Sequence, residues 1–371
     1  MDLPTETLDA IFAHLQPRPA ELARVARVCH RFRAVAERIL YAHIFISESL
    51  PRSSAFPHRL HRCCETLLAR PDLRDLVRRL TVRWQTDPSA RDQYEPFVQP
   101  VLRTLNAALR RLPQLDALDL ALGLVGVPVS VHTVLAGCRF PALRLFALYG
   151  MGPGSIPVKD APDTLVLQHF LAATRTLEHL VLGDHHAPLA LAPDHLPQLS
   201  AFKGTAAAAE SIVPGRAVHH LALVGQDQFA PRQLAELARG RAPVRTLDLS
   251  AVSVTPNTLK AVSGHLSGVE HLRIRFALRH TLHHSFTGIS ILAGLSPALG
   301  AFPALRLLDL SATPALNGGL GSSLEEVNLC QTWGRSCPSL RAVVFPSKTE
   351  WTLSGPEHIW VSKSPPRYTR S

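Results

Sequence analysis

The chain has 371 residues, 46% of them hydrophobic and 18% charged, with a formal net charge of +10. That is the composition of a soluble globular protein somewhat poor in charge, long enough for two or three domains or for one small domain and an extended repeat. Cys29, Cys63, Cys64, Cys138, Cys330 and Cys337 include no Cys-x-x-Cys pair, and in a chain this long without a signal peptide they read as free buried thiols of a reducing compartment, cytoplasmic or nuclear. The acidic start lacks an apolar run, which argues against a secretory signal.

The first 45 residues divide into three helical stretches. Pro4 suits the first position of a helix, where a missing N–H costs nothing, and Glu6 in the first turn is favoured by the helix dipole. Leu8, Ile11, Phe12 and Leu15 recur at the spacing of one helical face. Pro17 and Pro19 stop this helix and open the next, whose stripe is Leu22, Val25 and Val28. Phe32, Val35, Ala36, Ile39 and Leu40 form a third stripe. A domain this small is marginal alone, and its apolar count exceeds what one tiny core absorbs, so some side chains are expected to face a partner.

The order of residues goes further than their spacing. Leu3-Pro4-x-Glu6-x-Leu8-x-x-Ile11-Phe12-x-x-Leu15-x-Pro17, then Glu21-Leu22, then Val28-Cys29-His30-Arg31-Phe32, resembles the F-box. It departs from the family at Pro19-Ala20-Glu21, where many members carry a Lys-Asp pair. The resemblance covers residues 1–46 and implies a docking site for a Skp-type adaptor and, through it, a cullin-based ubiquitin ligase. The implied contact residues are Leu3, Pro4, Leu8, Ile11, Leu15, Leu22, Val28, Cys29 and Phe32.

Residues 47–75 begin rich in Ser, Pro and Arg and read as a connector. Residues 51–111 hold twelve Arg against six acidic residues, whereas residues 1–50 are balanced at six of each. A basic patch attracts nucleic acid or acidic surfaces. Here Glu65, Asp72 and Asp75 interleave with the arginines and no aromatic platform runs among them, so nucleic acid is not expected. His58, His61, Cys63 and Cys64 match no structural-zinc spacing.

From Leu76 one pattern returns: apolar, two variable, apolar, one variable, apolar. Its clearest copies are Leu115 to Leu120, Leu177 to Leu182, Val244 to Leu249 and Leu305 to Leu310. The middle apolar residues are Leu80, Leu118, Phe146, Leu180, Phe202, Leu221, Leu247, Leu272, Leu308 and Val343, the one at Phe202 belonging to a degenerate copy. Helical stretches are expected at 97–112, 164–173, 231–239, 258–266 and 324–333. Each strand–helix unit cannot bury its apolar face alone, so neighbours must stack. This looks like the leucine-rich repeat superfamily over residues 76–361. The place where that family closes its turn with Asn or Cys holds Gly123, Met151, His185, Gln226, Val252, Ala277 and Thr313, so the turn backbone needs other partners. The expected fold class is a mixed α and β solenoid: a small three-helix F-box followed by an irregular horseshoe with a parallel sheet of about ten strands. Residues from Cys337 through Trp360 are expected to cap it, and residues 362–371 form a loose tail. Residues 285–305 carry no charge, but Gly and Pro break the run, so no membrane span is expected.

No phosphate loop, nucleophile elbow or His-Glu-x-x-His motif is present, and neither an enzyme, a cofactor nor a metal is expected. The doublets His185-His186, His219-His220 and His283-His284 read as surface residues. Outward strand positions line one face in such a repeat: Asp119, Tyr149, His179, Asp184, His220, Asp248, His271, Arg273, Arg275 and Asp309. Mixed charge with Tyr and Arg suits protein recognition. The chain is therefore read as a monomeric substrate-recognition adaptor that docks a Skp-type subunit through its F-box and presents an unidentified protein target for ubiquitination. The alternative is an interaction protein that uses the Skp-type adaptor outside a cullin ligase.

Overall fold

The structure is a computed structural model that describes residues 3–15, 18–152, 162–225, 230–277, 292–314, 323–355 and 358–363. Pro17, the stretch 285–291, the doublet His283-His284 and tail residues 364–371 lie outside the described residues. Two compact units divide the chain, Met1–Gln198 and Leu199–Ser371.

The first unit opens with α1 (Thr5–Ala13), α2 (Pro19–Val25) and α3 (His30–Ala42). Pro19 takes the first position of α2, where its fixed φ suits the helix. Leu8, Phe12, Leu22, Val35 and Ala36 form a closed core, flanked by Leu15, Val25, Phe32, Ile39 and Leu40. The Phe12 and Phe32 rings meet edge to face with centroids 5.3 Å apart.

Helix α3 runs without a break into strand β1 (His43–Leu50), so the expected boundary at residue 46 falls inside a strand. Nor are residues 47–75 a connector. β1 pairs in parallel with β2 (Arg79–Thr86) along its full length, and α4 (His58–Ala69) and α5 (Pro71–Arg74) follow it. This is the first repeat, hidden because Ser47-Glu48-Ser49 separates the inward residues Ile46 and Leu50. The Glu48 carboxylate accepts the N–H groups of Arg59 (2.6 Å) and Leu60 (3.2 Å). It thus satisfies orphan donors at the start of α4 where negative charge is favoured.

Strands β3 (Ala117–Ala121), β4 (Leu145–Tyr149) and β5 (His179–Leu182) extend the parallel ladder of the first unit. Helices α6 (Arg91–Leu109), α7 (Val131–Leu135) and α8 (Pro162–Ala173) accompany them. α6 starts six residues before the expected Phe97 because Tyr94 anchors its first turn. The buried Tyr94 hydroxyl accepts the Asp87 N–H at 2.9 Å and donates to the Leu50 carbonyl.

The missing Asn at the strand ends has a physical substitute. Gly150, at φ +74°, packs so close to the preceding turn that a Cβ would lie 2.3 Å from the Gly123 nitrogen. That approach lets Leu122 donate to the Tyr149 carbonyl at 3.1 Å, while Gly150 donates to the Asp184 carboxylate. In the second unit, buried Thr313 accepts the Phe276 N–H at 3.0 Å.

The second unit holds β6 (Ala201–Thr205), β7 (His220–Val224), β8 (Thr246–Val254), β9 (His271–Phe276), β10 (Leu307–Asp309) and β11 (Ala342–Val344), each parallel to the next. Its helices are α9 (Ala206–Ile212), α10 (Pro231–Leu237), α11 (Pro256–His265), α12 (Ser296–Leu299) and α13 (Ser323–Ser336). All ten middle positions of the sequence motif lie in β2 to β11, Phe202 of the degenerate copy in β6. Two antiparallel strands, β12 (Glu350–Ser354) and β13 (Ile359–Lys363), then turn Trp351 and Trp360 inward. Residues 362 and 363, expected in the tail, belong to β13.

Both units are thus leucine-rich-repeat-like solenoid segments with strand lengths that vary from three residues in β10 to nine in β8. A recurring bond pattern spaces the repeats. The carbonyl before a strand accepts two N–H groups from the next repeat, as Asp116 does from Arg144 and Leu145 at 2.8 and 3.0 Å, and Glu270 from Arg306 and Leu307 at 2.7 and 3.0 Å.

Candidate functional site

The helical head has a sharply divided surface. Leu8 (3% exposed) and Leu22 (1% exposed) are core residues, which corrects their expected place at a docking surface: α1 and α2 turn these side chains into one cluster with Val35 and Ala36. Leu15 and Phe32 are half-buried against the same core. Leu3, Pro4, Ile11, Val28 and Cys29 remain exposed.

Two interactions fix this outer surface. The Arg31 guanidinium donates to the Leu3 carbonyl and reaches the Thr5 hydroxyl at 3.5 Å, drawing the start of α1 to the start of α3. Cys29 precedes α3 as its cap, its Sγ accepting the Phe32 N–H at 3.4 Å. Leu3 and the Val28-Cys29 pair are therefore brought together. An ion pair between Arg38 and Asp9 ties α1 to α3 elsewhere. Among the described residues nine large hydrophobic side chains are exposed, and Leu3, Ile11 and Val28 are three of them. In a head this short, three exposed large apolar side chains are a high density of apolar surface.

The outward strand positions divide differently. In the first unit Asp119 pairs with Arg83 at 3.4 Å, and the Arg83 guanidinium sits 5.9 Å from the centroid of the exposed Phe45 ring. Burial and the neighbouring Asp119 carboxylate push the Tyr149 hydroxyl above its ordinary range, against the opposing charge of Arg83. His179 is exposed. Asp184 does not belong to an outward face: it follows β5 and serves the Gly150 N–H. Phe45 and Arg83, missed by the sequence, join Asp119 and Tyr149 in this group, and only the strand register could have placed them there.

In the second unit Arg273 lies between Asp248 (4.0 Å) and Asp309 (3.3 Å), its register partners on the flanking strands. Each Asp also accepts the N–H two residues on, at Ser250 and Ser311, both at 2.8 Å. The repeated Leu-Asp-Leu-Ser segments thus use the carboxylate to bind the backbone two residues on, within β8 at Asp248 and at the end of β10 at Asp309. Arg275 reaches across to the Ala251 carbonyl and the Ser253 hydroxyl at the irregular register of β8. Asp248, Arg273, Arg275 and Asp309 are therefore engaged within the face, and His220 and His271 are solvent-exposed.

His185 is not the surface residue expected of a doublet. Burial lowers its pKa to about 4, so it stays neutral in the folded chain while the unfolded chain takes up a proton near 6.5. A depressed pKa on a base means that stability falls as pH drops from about 6.5 toward 4, because only the unfolded state then gains the proton. Between pH 7 and 5 the wild type is expected to lose on the order of 2 kcal/mol more than His185→Phe, read from urea midpoints. Parallel pH profiles for the two proteins would refute this.

Among the described residues no group of three or more His, Cys, Asp or Glu is placed to hold a metal ion, and no helix is long and apolar enough to cross a membrane.

A family model described as F-box-like matches residues 1–47. A search of curated proteins by sequence finds no match. Among solved structures, an internalin of Listeria monocytogenes is 13% identical, with 74% of this chain and 62% of that one covered and a TM-score of 0.29; the chain thus spans less than two thirds of that protein. A chain from the Rad7 and Elc1 complex in yeast is 14% identical, with 99% of this chain and 92% of that one covered and a TM-score of 0.36. The assignment rests on the head and on the repeats themselves: the chain carries an F-box-like domain at residues 1–47, fused to leucine-rich-repeat-like strand–helix units.

Proposed function

We propose that the chain docks a Skp-type adaptor through the exposed apolar side of its F-box-like domain and holds a protein target on its repeats for ubiquitination by a cullin-based ligase. The observation that carries this reading is the coincidence of the F-box-like match with Leu3, Ile11 and Val28 left exposed on a closed helical core. Pro4, Cys29 and the accessible edges of Leu15 and Phe32 complete the contact. The chain itself performs no chemistry in this reading. It supplies proximity, and the direct passage of α3 into β1 makes the docking head and the first repeats one piece.

The test uses the full-length chain and a purified Skp-type subunit in isothermal titration, followed by addition of a cullin. A stoichiometric complex that recruits the cullin is expected. A complex that excludes the cullin would favour an adaptor-bound interaction protein, and no complex at all would overturn the proposal.

A further inference from the structure

The surplus arginines of residues 51–111 have a place in the fold. Successive repeats of the first unit turn from helix to strand through arginine-bearing segments, and three carboxylates in these turns are paired. Asp72 binds Arg70 at 2.6 Å, Asp116 pairs with Arg79 at 3.5 Å, and Glu178 binds Arg144 at 2.7 Å; Asp75 stands beside Arg74 in sequence. Arg110, Arg111, Arg139 and Arg175 are exposed and make no ion pair among the described residues. Favourable interaction with a helix C-terminus explains arginines that directly follow α6. It does not explain Arg139, which lies further along the turn after α7.

A second observation falls at the same place. Between α7 and α8 an open cleft of about 340 Å³ is floored by Leu135, Val166 and Phe170 and edged by Arg139 and His169. Gly137 also lines it, and the Arg110 side chain crosses that glycine so closely that a Cβ there would lie 3.2 Å from its Nε. Two guanidinium groups with no ion pair among the described residues therefore stand at one end of an apolar slot. At the other side Leu165 and His169 stand one helical turn apart on α8, both exposed. Asp163, in the first turn of α8, is already engaged by the Ser130 hydroxyl and the His132 N–H.

We infer that this cleft on the helical side of the first unit is a docking site for a linear peptide segment in which a large apolar side chain is flanked by carboxylates. The apolar side chain fills the slot over Phe170, and the carboxylates meet Arg110 and Arg139. Arg forks bind carboxylates in two-point geometry, and apolar burial supplies affinity that exposed ion pairs alone do not. The slot distinguishes this occupant from a nucleic acid, which needs basic groups along a backbone and aromatic faces for its bases. The site goes beyond adaptor docking and does not depend on it.

The test selects binders to the full-length chain from a library of short random peptides. Selected peptides are expected to carry Asp or Glu beside one Leu, Phe or Met. Arg110→Glu with Arg139→Glu should weaken them about tenfold or more and reduce the salt dependence, and Ala173→Trp, which fills the mouth of the cleft from an exposed position, should abolish binding. Arg139→Glu alone serves where the double variant melts early. Circular dichroism and binding to the Skp-type subunit should match wild type in every variant, which separates failure of this site from failure of the head. No selected peptides, peptides without acidic enrichment, or full affinity in the Ala173→Trp chain would overturn the inference. So would single-stranded nucleic acid binding that only the arginine variant loses.

Discussion

Replacing Ile11 and Val28 together with Asp is expected to weaken adaptor binding at least about a hundredfold while leaving the melting temperature unchanged. The two side chains are 45% and 68% exposed, so the folded chain alone gains little from them. Full burial of an aliphatic side chain contributes roughly 1.5–3 kcal/mol, and each 1.4 kcal/mol is about tenfold in affinity. Two such anchors, replaced by charges that resist desolvation, reach a hundredfold even if the adaptor covers only part of each. The choice of residues matters. Leu15→Ala with Phe32→Ala removes side chains that already pack against Phe12 and its neighbours, so that pair would cost stability by opening the core and would confuse misfolding with lost docking. The measurement is a titration of full-length wild type and variant against the Skp-type subunit. Residues 1–50 carry equal numbers of basic and acidic groups, so the wild-type affinity should hardly respond to moderate salt. An unaltered affinity in the Asp variant would show that the adaptor binds elsewhere.

The contrast between Leu8 and Ile11 explains what the sequence could carry. Both belong to one apolar stripe, and helical spacing alone assigns them to one face. In a bundle of three short helices a difference of about sixty degrees around the axis separates the core from the outside, and only the packed structure shows where the division falls. The repeats were easier to read. A strand with one buried face repeats its apolar residues at a period of two, and every middle residue from Leu80 to Val343 lies in a strand. β1 escaped because polar residues interrupt its inward positions, and its tie to α4 through Glu48 spans eleven residues. The recurrent aspartates were visible as a pattern, but their work was not. Asp248 and Asp309 each accept the backbone N–H two residues on and share Arg273 across strands, a relation set by register. The arginine surplus likewise acquires meaning only where the turns of separate repeats meet beside the cleft between α7 and α8.

Glu326→Ala is expected to destabilise the second unit by about 3 kcal/mol, whereas Glu326→Gln should be nearly neutral. Glu326 lies on α13 with only 2% of its surface exposed. One carboxylate oxygen accepts the Ser347 hydroxyl at 2.7 Å and the other accepts the Trp351 indole N–H at 2.8 Å. These partners stand in the turn after β11 and on β12, so a single side chain clasps the closing hairpin to the last helix. Nearby, Trp333 of the same helix stacks on Phe345 with the rings 15° from parallel. Alanine leaves two donors without an acceptor, and a buried donor left unsatisfied costs about 1–3 kcal/mol. Glutamine keeps the shape. Its carbonyl can take the indole N–H, and its amide can donate to the Ser347 oxygen, whose own proton is free to turn to the Thr349 hydroxyl at 3.1 Å. No cation pairs with Glu326 among the described residues, so removal of its charge also relieves the cost of burying a lone carboxylate. Urea unfolding of the three proteins decides the matter. Equal losses for Ala and Gln would mean that the clasp depends on charge rather than on two satisfied donors.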